Sequence, residues 1–335
     1  MNGIPMTIIS NASFGMPGLM RTRTQVISPV ALFRLRTFHL AAFAFILLAH
    51  SPVSAAVVFE VTSPYHHIRV TEDGGQRTLC FDDATETRMS LQDPLKGHFE
   101  YVEYFHMPWL WNAQLTNVLM IGLGGGSAQR SFEHYYPGVN VETVEIDPMV
   151  VQVAKDYFKF KESEKQKVHV ADGRVFLRRS TARYDLIILD AYLGGRYGSS
   201  IPQHLATKEF FELVRNHLTT NGVVAYNVIG TTSDWHAGIV GAIYRTLKTV
   251  FPQAYMFPAR SSQNVVLLAT MTALKTDIYT LRQSAAVLAR NRRVTVPGFR
   301  ERLEMFQAQA PANAASSPIL TDDYAPVEGL AAGGL

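Results

Sequence analysis

The chain has 335 residues, 47% hydrophobic and 18% charged, which is enough apolar material for a large core and rules out a wholly disordered chain. Lys and Arg number 31 against 28 Asp and Glu, a formal charge of +3, and no basic block in the body points to a nucleic-acid partner. The one cysteine, Cys80, excludes an intramolecular disulfide and any Cys-rich zinc site.

Residues 1–56 read as a leader. An uncharged apolar run over 38–49 follows Arg21, Arg23, Arg34 and Arg36, and Val53 and Ala55 supply the small residues for cleavage after Ala55. A basic stretch, a short apolar core and a small-residue end make a secretory signal peptide. The run falls short of the ~20 residues of a comfortable membrane span. An uncleaved membrane anchor and a loose leader on a cytoplasmic protein are the alternatives. The first two readings imply export to the periplasm or attachment to a membrane.

From Val57 to Leu91 short alternating segments are separated by turn signals, Asp73-Gly74 the clearest, and predict a small antiparallel sheet. Residues 98–112 predict a connecting helix running up to Pro108. Together they form an N-terminal β domain over 57–116. Trp109, Trp111, Tyr101, Tyr104 and Phe105 read as packing between two sheets, and Cys80 as a buried small hydrophobe. From Asn117 the pattern changes. Apolar strands over 117–123, 140–147, 167–172, 184–190 and 222–229 alternate with helices, one opened by Pro148, and a helix over 235–250 is followed by strands at 253–258 and 264–270. This order predicts an α/β fold over 117–302: a Rossmann-like, doubly wound, mostly parallel sheet. Residues 303–335 read as an Ala/Pro-rich, partly loose tail.

Ligands of such sheets bind beyond the carboxyl ends of the strands. The first strand there ends in a turn carrying Gly122, Gly124, Gly125 and Gly126, where the backbone can pass close to a ligand; such a turn also serves packing alone. The next three strands end in Glu145, Asp172 and Asp190. Glu145 suits both ribose hydroxyls of an adenosine, Asp172 an adenine edge or a helix cap, and Asp147 before Pro148 a helix cap. Three acids beside a glycine turn argue for an adenosine nucleoside without phosphates. The histidines lack metal-ligand spacing, so no metal site is expected.

The stretches VLMIGLGGGSAQ, VETVEIDPMVV, VADGRVFL, YDLIILDAY, IPQHLATKEFF and GVVAYNV, with the closing ILTDDYAPVE, resemble in that order the spermidine synthase family of polyamine aminopropyltransferases. The resemblance covers about Tyr65 to Glu328. It implies transfer of an aminopropyl group from decarboxylated S-adenosylmethionine, as co-substrate, to a diamine such as putrescine, with release of methylthioadenosine. It implies no permanently bound cofactor and, through the N-terminal sheet, a homodimer. The nucleoside would be held by Gly122, Gly124, Gly126, Glu145, Asp172 and Gly173. Asp190 would be the catalytic base, with Tyr101 positioning the amine, Glu103 and Tyr192 binding substrate, and the loop 194–205 acting as a gate.

The sequence departs from the family pattern at the acceptor end. The glycine turn has Gly125 and the catalytic loop has Leu193 where the family carries Asp, and Glu86 falls near a family Gln. Glu86, Glu103 and Asp93 are the acids available to compensate. Two other readings stay open: an S-adenosylmethionine-dependent methyltransferase on the same fold, and a catalytically degenerate exported nucleoside- or polyamine-binding protein.

Overall fold

The computed structural model describes residues 55–333 except 196, 197 and 235, so the expected leader lies outside the described residues but for its last two, and Ala56 already opens the first strand. Among these, no helix is long and apolar enough to cross a membrane.

Strands β1 (Ala56–Thr62), β2 (His67–Asp73), β3 (Gln76–Phe81) and β4 (Ala84–Ser90) form the expected antiparallel sheet in chain order. Strand alternation puts Ile68, Val70, Leu79, Phe81 and Met89 on one face, packed against Val150, Val153 and Phe158. Cys80 corrects the expectation of burial. Its neighbours Leu79 and Phe81 take the buried face, leaving Cys80 half-buried on the other. The expected helix over 98–112 is two short pieces, α1 (Tyr101–Tyr104) and a 3-10 turn at Met107–Leu110 with Pro108 in its first turn. Proline lacks the N–H that would extend the α ladder.

The second part follows the predicted alternation. It contains β5 (Asn117–Ile121), α2 (Ser127–Tyr135), β6 (Asn140–Glu145), α3 (Pro148–Tyr157), β7 (Gln166–Val170), α4 (Gly173–Arg179) and β8 (Tyr184–Leu189). After a two-stranded hairpin, β9 (Leu193–Gly195) and β10 (Gly198–Ser200), come α5 (Lys208–Asn216), β11 (Leu218–Ile229), α6 (Ala237–Val250), β12 (Gln253–Pro258) and β13 (Asn264–Thr270). The seven-stranded sheet runs β12-β13-β11-β8-β5-β6-β7, parallel from β11 to β7, with β13 antiparallel to both its neighbours. All of β8 is buried, as a strand covered by helices on both faces must be. The chain winds outward from β5 to β7, then returns to β8 on the other side of β5. The carboxyl ends of β5 and β8 are therefore the switch point at which a crevice opens.

Helix α7 (Ile278–Arg290) was not among the predicted elements; its signals are Asp277, whose side chain caps it, and Leu281, Ala285 and Leu288 on one face. Tyr101, Tyr104, Phe105 and Trp109 pack under this helix against Phe257, Val266 and Leu268 of the large sheet, not between the two sheets. After α8 (Phe299–Leu303), the tail is built into the core. Leu320 and Ala325, with Val327 and Leu330 of α9 (Val327–Ala331), join the cluster that includes Ile239 and Ile243 of α6. Asp322 forms a bidentate pair with Arg174, at 2.7 and 2.6 Å.

Candidate active site

The ladder of the large sheet continues past its strands: Gly122 N–H donates to Val144 O (2.9 Å), Ala171 N–H to Glu145 O (3.0 Å) and Asp190 N–H to Ile121 O (2.8 Å). Four strand ends are thereby held side by side, and Gly122, Glu145, Asp172 and Asp190 line one crevice of about 1040 Å³, open mouth included.

Gly122 sits at φ +104°, and a Cβ there would lie 2.1 Å from the backbone oxygen of Asp190. Glycine is thus required for β5 and β8 to meet. Gly124 and Gly126 are left-handed in the same turn. At Gly125 a Cβ would meet Thr87 Cγ2 at 2.6 Å and the Phe158 ring at 2.9 Å. Gly125 N–H donates to Thr87 Oγ1 (2.9 Å), so β4 of the small sheet lies directly on the turn. The buried Arg130 guanidinium, which the sequence reading passed over, pins the turn from below by donating to the oxygens of Gly125 and Phe158. Burial lowers its pKa to about 10.

Glu145 is buried at the end of β6. Its Oε2 accepts from Leu123 N–H (2.9 Å) and its Oε1 from Asp147 N–H (3.0 Å). Burial raises its pKa, and these backbone bonds oppose the rise. Each oxygen keeps a lone pair for a hydroxyl from the crevice. Asp147 is the helix cap anticipated, accepting from Met149 N–H at 2.8 Å. Asp172 takes its cap reading, with Oδ1 capping α4 through Val175 N–H (2.8 Å), while Oδ2 lies 2.7 Å from His204 Nε2. The His204 bond is the main reason its pKa is lowered. Gly173 lines the crevice, and a Cβ there would lie 2.5 Å from Ile121 Cγ2.

At the other end, Asp190 Oδ1 accepts from Asn227 Nδ2 (2.9 Å) and Oδ2 from the Tyr101 hydroxyl (3.3 Å). Burial pushes Asp190 up to about 6 against these two bonds. Tyr101 is driven well above its ordinary value by burial and by the Asp190 charge. Tyr192 lines the crevice, but its hydroxyl is engaged, donating to Asn227 O (2.7 Å) and accepting from Ile229 N–H (3.0 Å). Asn227 was not singled out from sequence. Its signal is a polar residue inside the apolar run of β11, buried at 1% exposure, with Oδ1 accepting from Asn264.

The two acids offered beside Glu86 do not reach the site. Glu103 corrects the expectation of substrate contact: it pairs with Arg302 and His98, whose hydrogen bonds outweigh burial and bring it down to about 2. Asp93 bonds Leu95 N–H and pairs with Lys96. Glu86 does line the crevice, with Oε1 accepting from Ser199 Oγ at 2.5 Å across the hairpin. Burial first, and the charges of Asp190 and Asp82 after it, push Glu86 to about 7. Leu193 of β9 lines the same end.

The sequence model of the spermine/spermidine synthase domain matches residues 98–275. A polyamine aminopropyltransferase of Vibrio vulnificus is 34% identical over 259 residues, 74% of this chain and 83% of that protein. An eEF1A lysine and N-terminal methyltransferase of Xenopus laevis is 35% identical over 144 residues, covering 41% of this chain and 21% of that protein. A probable spermidine synthase from Corynebacterium glutamicum superposes with a TM-score of 0.60 at 18% identity, covering 81% of this chain and 99% of that one. This last likeness is one of fold.

Proposed function

The chain belongs to the spermine/spermidine synthase family, and on that premise we propose that it moves an aminopropyl group from decarboxylated S-adenosylmethionine to an amine, releasing methylthioadenosine. The observation that carries the reading is Asp190, a recessed carboxylate at the switch point, oriented by Asn227 and Tyr101 and raised to about 6. An attacking amine must be neutral, yet an alkylammonium ionises near pH ~10. A carboxylate beside it accepts the proton and aims the lone pair. The nitrogen then attacks the methylene next to the sulfonium, the carbon–sulfur bond breaks, and its electron pair returns to sulfur. Holding both reactants in line supplies much of the acceleration. Glu145 receives the ribose hydroxyls, Asp172 with His204 borders the adenine, and Tyr101 fixes the amine over Asp190. Glu86 takes up the charge of the amine end, in place of Glu103.

The test incubates the full chain with decarboxylated S-adenosylmethionine and a panel of amines, and identifies products by mass spectrometry. Amine-dependent methylthioadenosine is expected. Asp190→Asn is expected to lower kcat by about 10²–10⁴-fold, the range for a general base, while nucleoside affinity holds. Turnover by Asp190→Asn at the wild-type rate removes Asp190 as base. S-adenosylhomocysteine, formed from ordinary S-adenosylmethionine, overturns the reading in favour of methyl transfer.

A further inference from the structure

The acceptor end of the crevice contains a cation that the chemistry above leaves unused. Arg88 of β4 is the one lysine or arginine among the described lining residues. Its guanidinium carbon lies 4.3 Å from the centre of the Phe99 ring, and Phe99 stacks at 6.2 Å on Tyr101, whose hydroxyl bonds Asp190. This row links Arg88 to the end of the crevice where Asp190 lies. Its Nε is buried with no hydrogen-bond partner. An unpartnered buried N–H is costly, and a guanidinium over a ring face keeps its N–H donors for bidentate pairing with a carboxylate. A plain diammonium is poorly matched to those donors.

We propose that Arg88 receives a carboxylate carried by one of the two substrates. The proposal rests on the transfer reading above. Two sources share this chemistry: an acceptor that is an amino acid with a distant amine, or a donor that keeps the carboxylate of its methionine part. Either way the step balances. A neutral amine forms a nitrogen–carbon bond to the methylene beside sulfur, the carbon–sulfur pair goes to sulfur, and methylthioadenosine leaves. The proton shed by the amine passes to Asp190 and on to solvent. A carboxylate-bearing donor delivers a 3-amino-3-carboxypropyl group instead of an aminopropyl group.

Calorimetry on the full chain separates the sources. One arm compares S-adenosylmethionine with its decarboxylated form; the other compares 4-aminobutyrate with putrescine in the presence of methylthioadenosine. In one arm the carboxylate-bearing ligand is expected to bind at least tenfold tighter. Arg88→Gln should abolish that preference and Arg88→Lys restore part of it, each variant first shown to melt cooperatively. No carboxylate preference in either arm, or one that Arg88→Gln leaves intact, overturns the proposal. Turnover of the four pairings of these two donors with these two acceptors judges the transfer reading separately. Methylthioadenosine from none of them defeats that reading, while the affinity ratios still decide on Arg88.

Discussion

Glu86 lies within reach of the Asp190 charge, and burial holds both above the ordinary carboxylate range, at about 7 and about 6. As base, Asp190 must be ionised, so kcat/KM should rise with pH through about 6. The stability consequence has the opposite sense. A carboxyl whose folded pKa is raised favours the native state below its unfolded value, here 4.5 for Glu86, and that advantage is lost as pH climbs through about 7. Glu86→Gln keeps an acceptor for Ser199 without the charge. It should therefore stabilise the unliganded protein by about 1–3 kcal/mol at pH 8 and not at all near pH 4, read from paired thermal melts. A variant no more stable than wild type at pH 8 contradicts the burial argument. Glu145, Asp172 and Asp190 were legible because each is an acid ending an apolar strand. Glu103 was misplaced because nothing local marks Arg302, far along the chain, as its partner. Glu145 is also a strut, since it accepts two backbone N–H groups across the turn.

At the scale of elements, the glycine turn and β4 form one unit. Thr87 and the Phe158 ring fill the space beside Gly125 that a side chain would need. Restoring an acid by Gly125→Asp should therefore not mend the acceptor end. It should push β4 off the turn, destabilise by about 1–3 kcal/mol as overpacking does, and lower nucleoside affinity. Denaturant melts and calorimetry check both; a stable, more active Gly125→Asp refutes this account. The parallel strands were readable because fully buried strands are continuous apolar runs. The contacts beneath the connecting segment were not. Tyr101, Tyr104 and Phe105 announce burial but not the surface they meet, and in α7 Arg282, Gln283 and Ser284 interrupt the buried stripe of Leu281, Ala285 and Leu288.

Across the whole molecule, the C-terminal segment reaches back to the nucleoside end. Asp322 grips Arg174, which follows Asp172 and Gly173 at the start of α4, and also accepts from Thr207 Oγ1 at 2.7 Å. The Arg174 bond is the main reason Asp322 sits at about 2. Asp322→Ala strands a nearly buried guanidinium, and should cost about 1.5–3 kcal/mol together with a severalfold loss of nucleoside affinity. An unchanged melting temperature argues against such a latch. Alanine and proline made this tail look loose from sequence. Its order comes from Leu320, Ala325, Val327 and Leu330, which find their partners only in three dimensions.

The four carboxylates lining the crevice, Glu86, Glu145, Asp172 and Asp190, have a consequence for the direction of flow. Under the proposed reaction a sulfonium enters this crevice as a cation, and the bond-breaking step passes its charge to the attacking nitrogen. The thioether left behind is neutral, so the Coulomb attraction that drew the donor in vanishes as the product forms. Departure is thereby driven by the chemistry itself, and the return path asks a neutral molecule to enter a site tuned for a cation. The crevice therefore holds the spent nucleoside less tightly than the donor, while its carboxylates keep their attraction for the amine product.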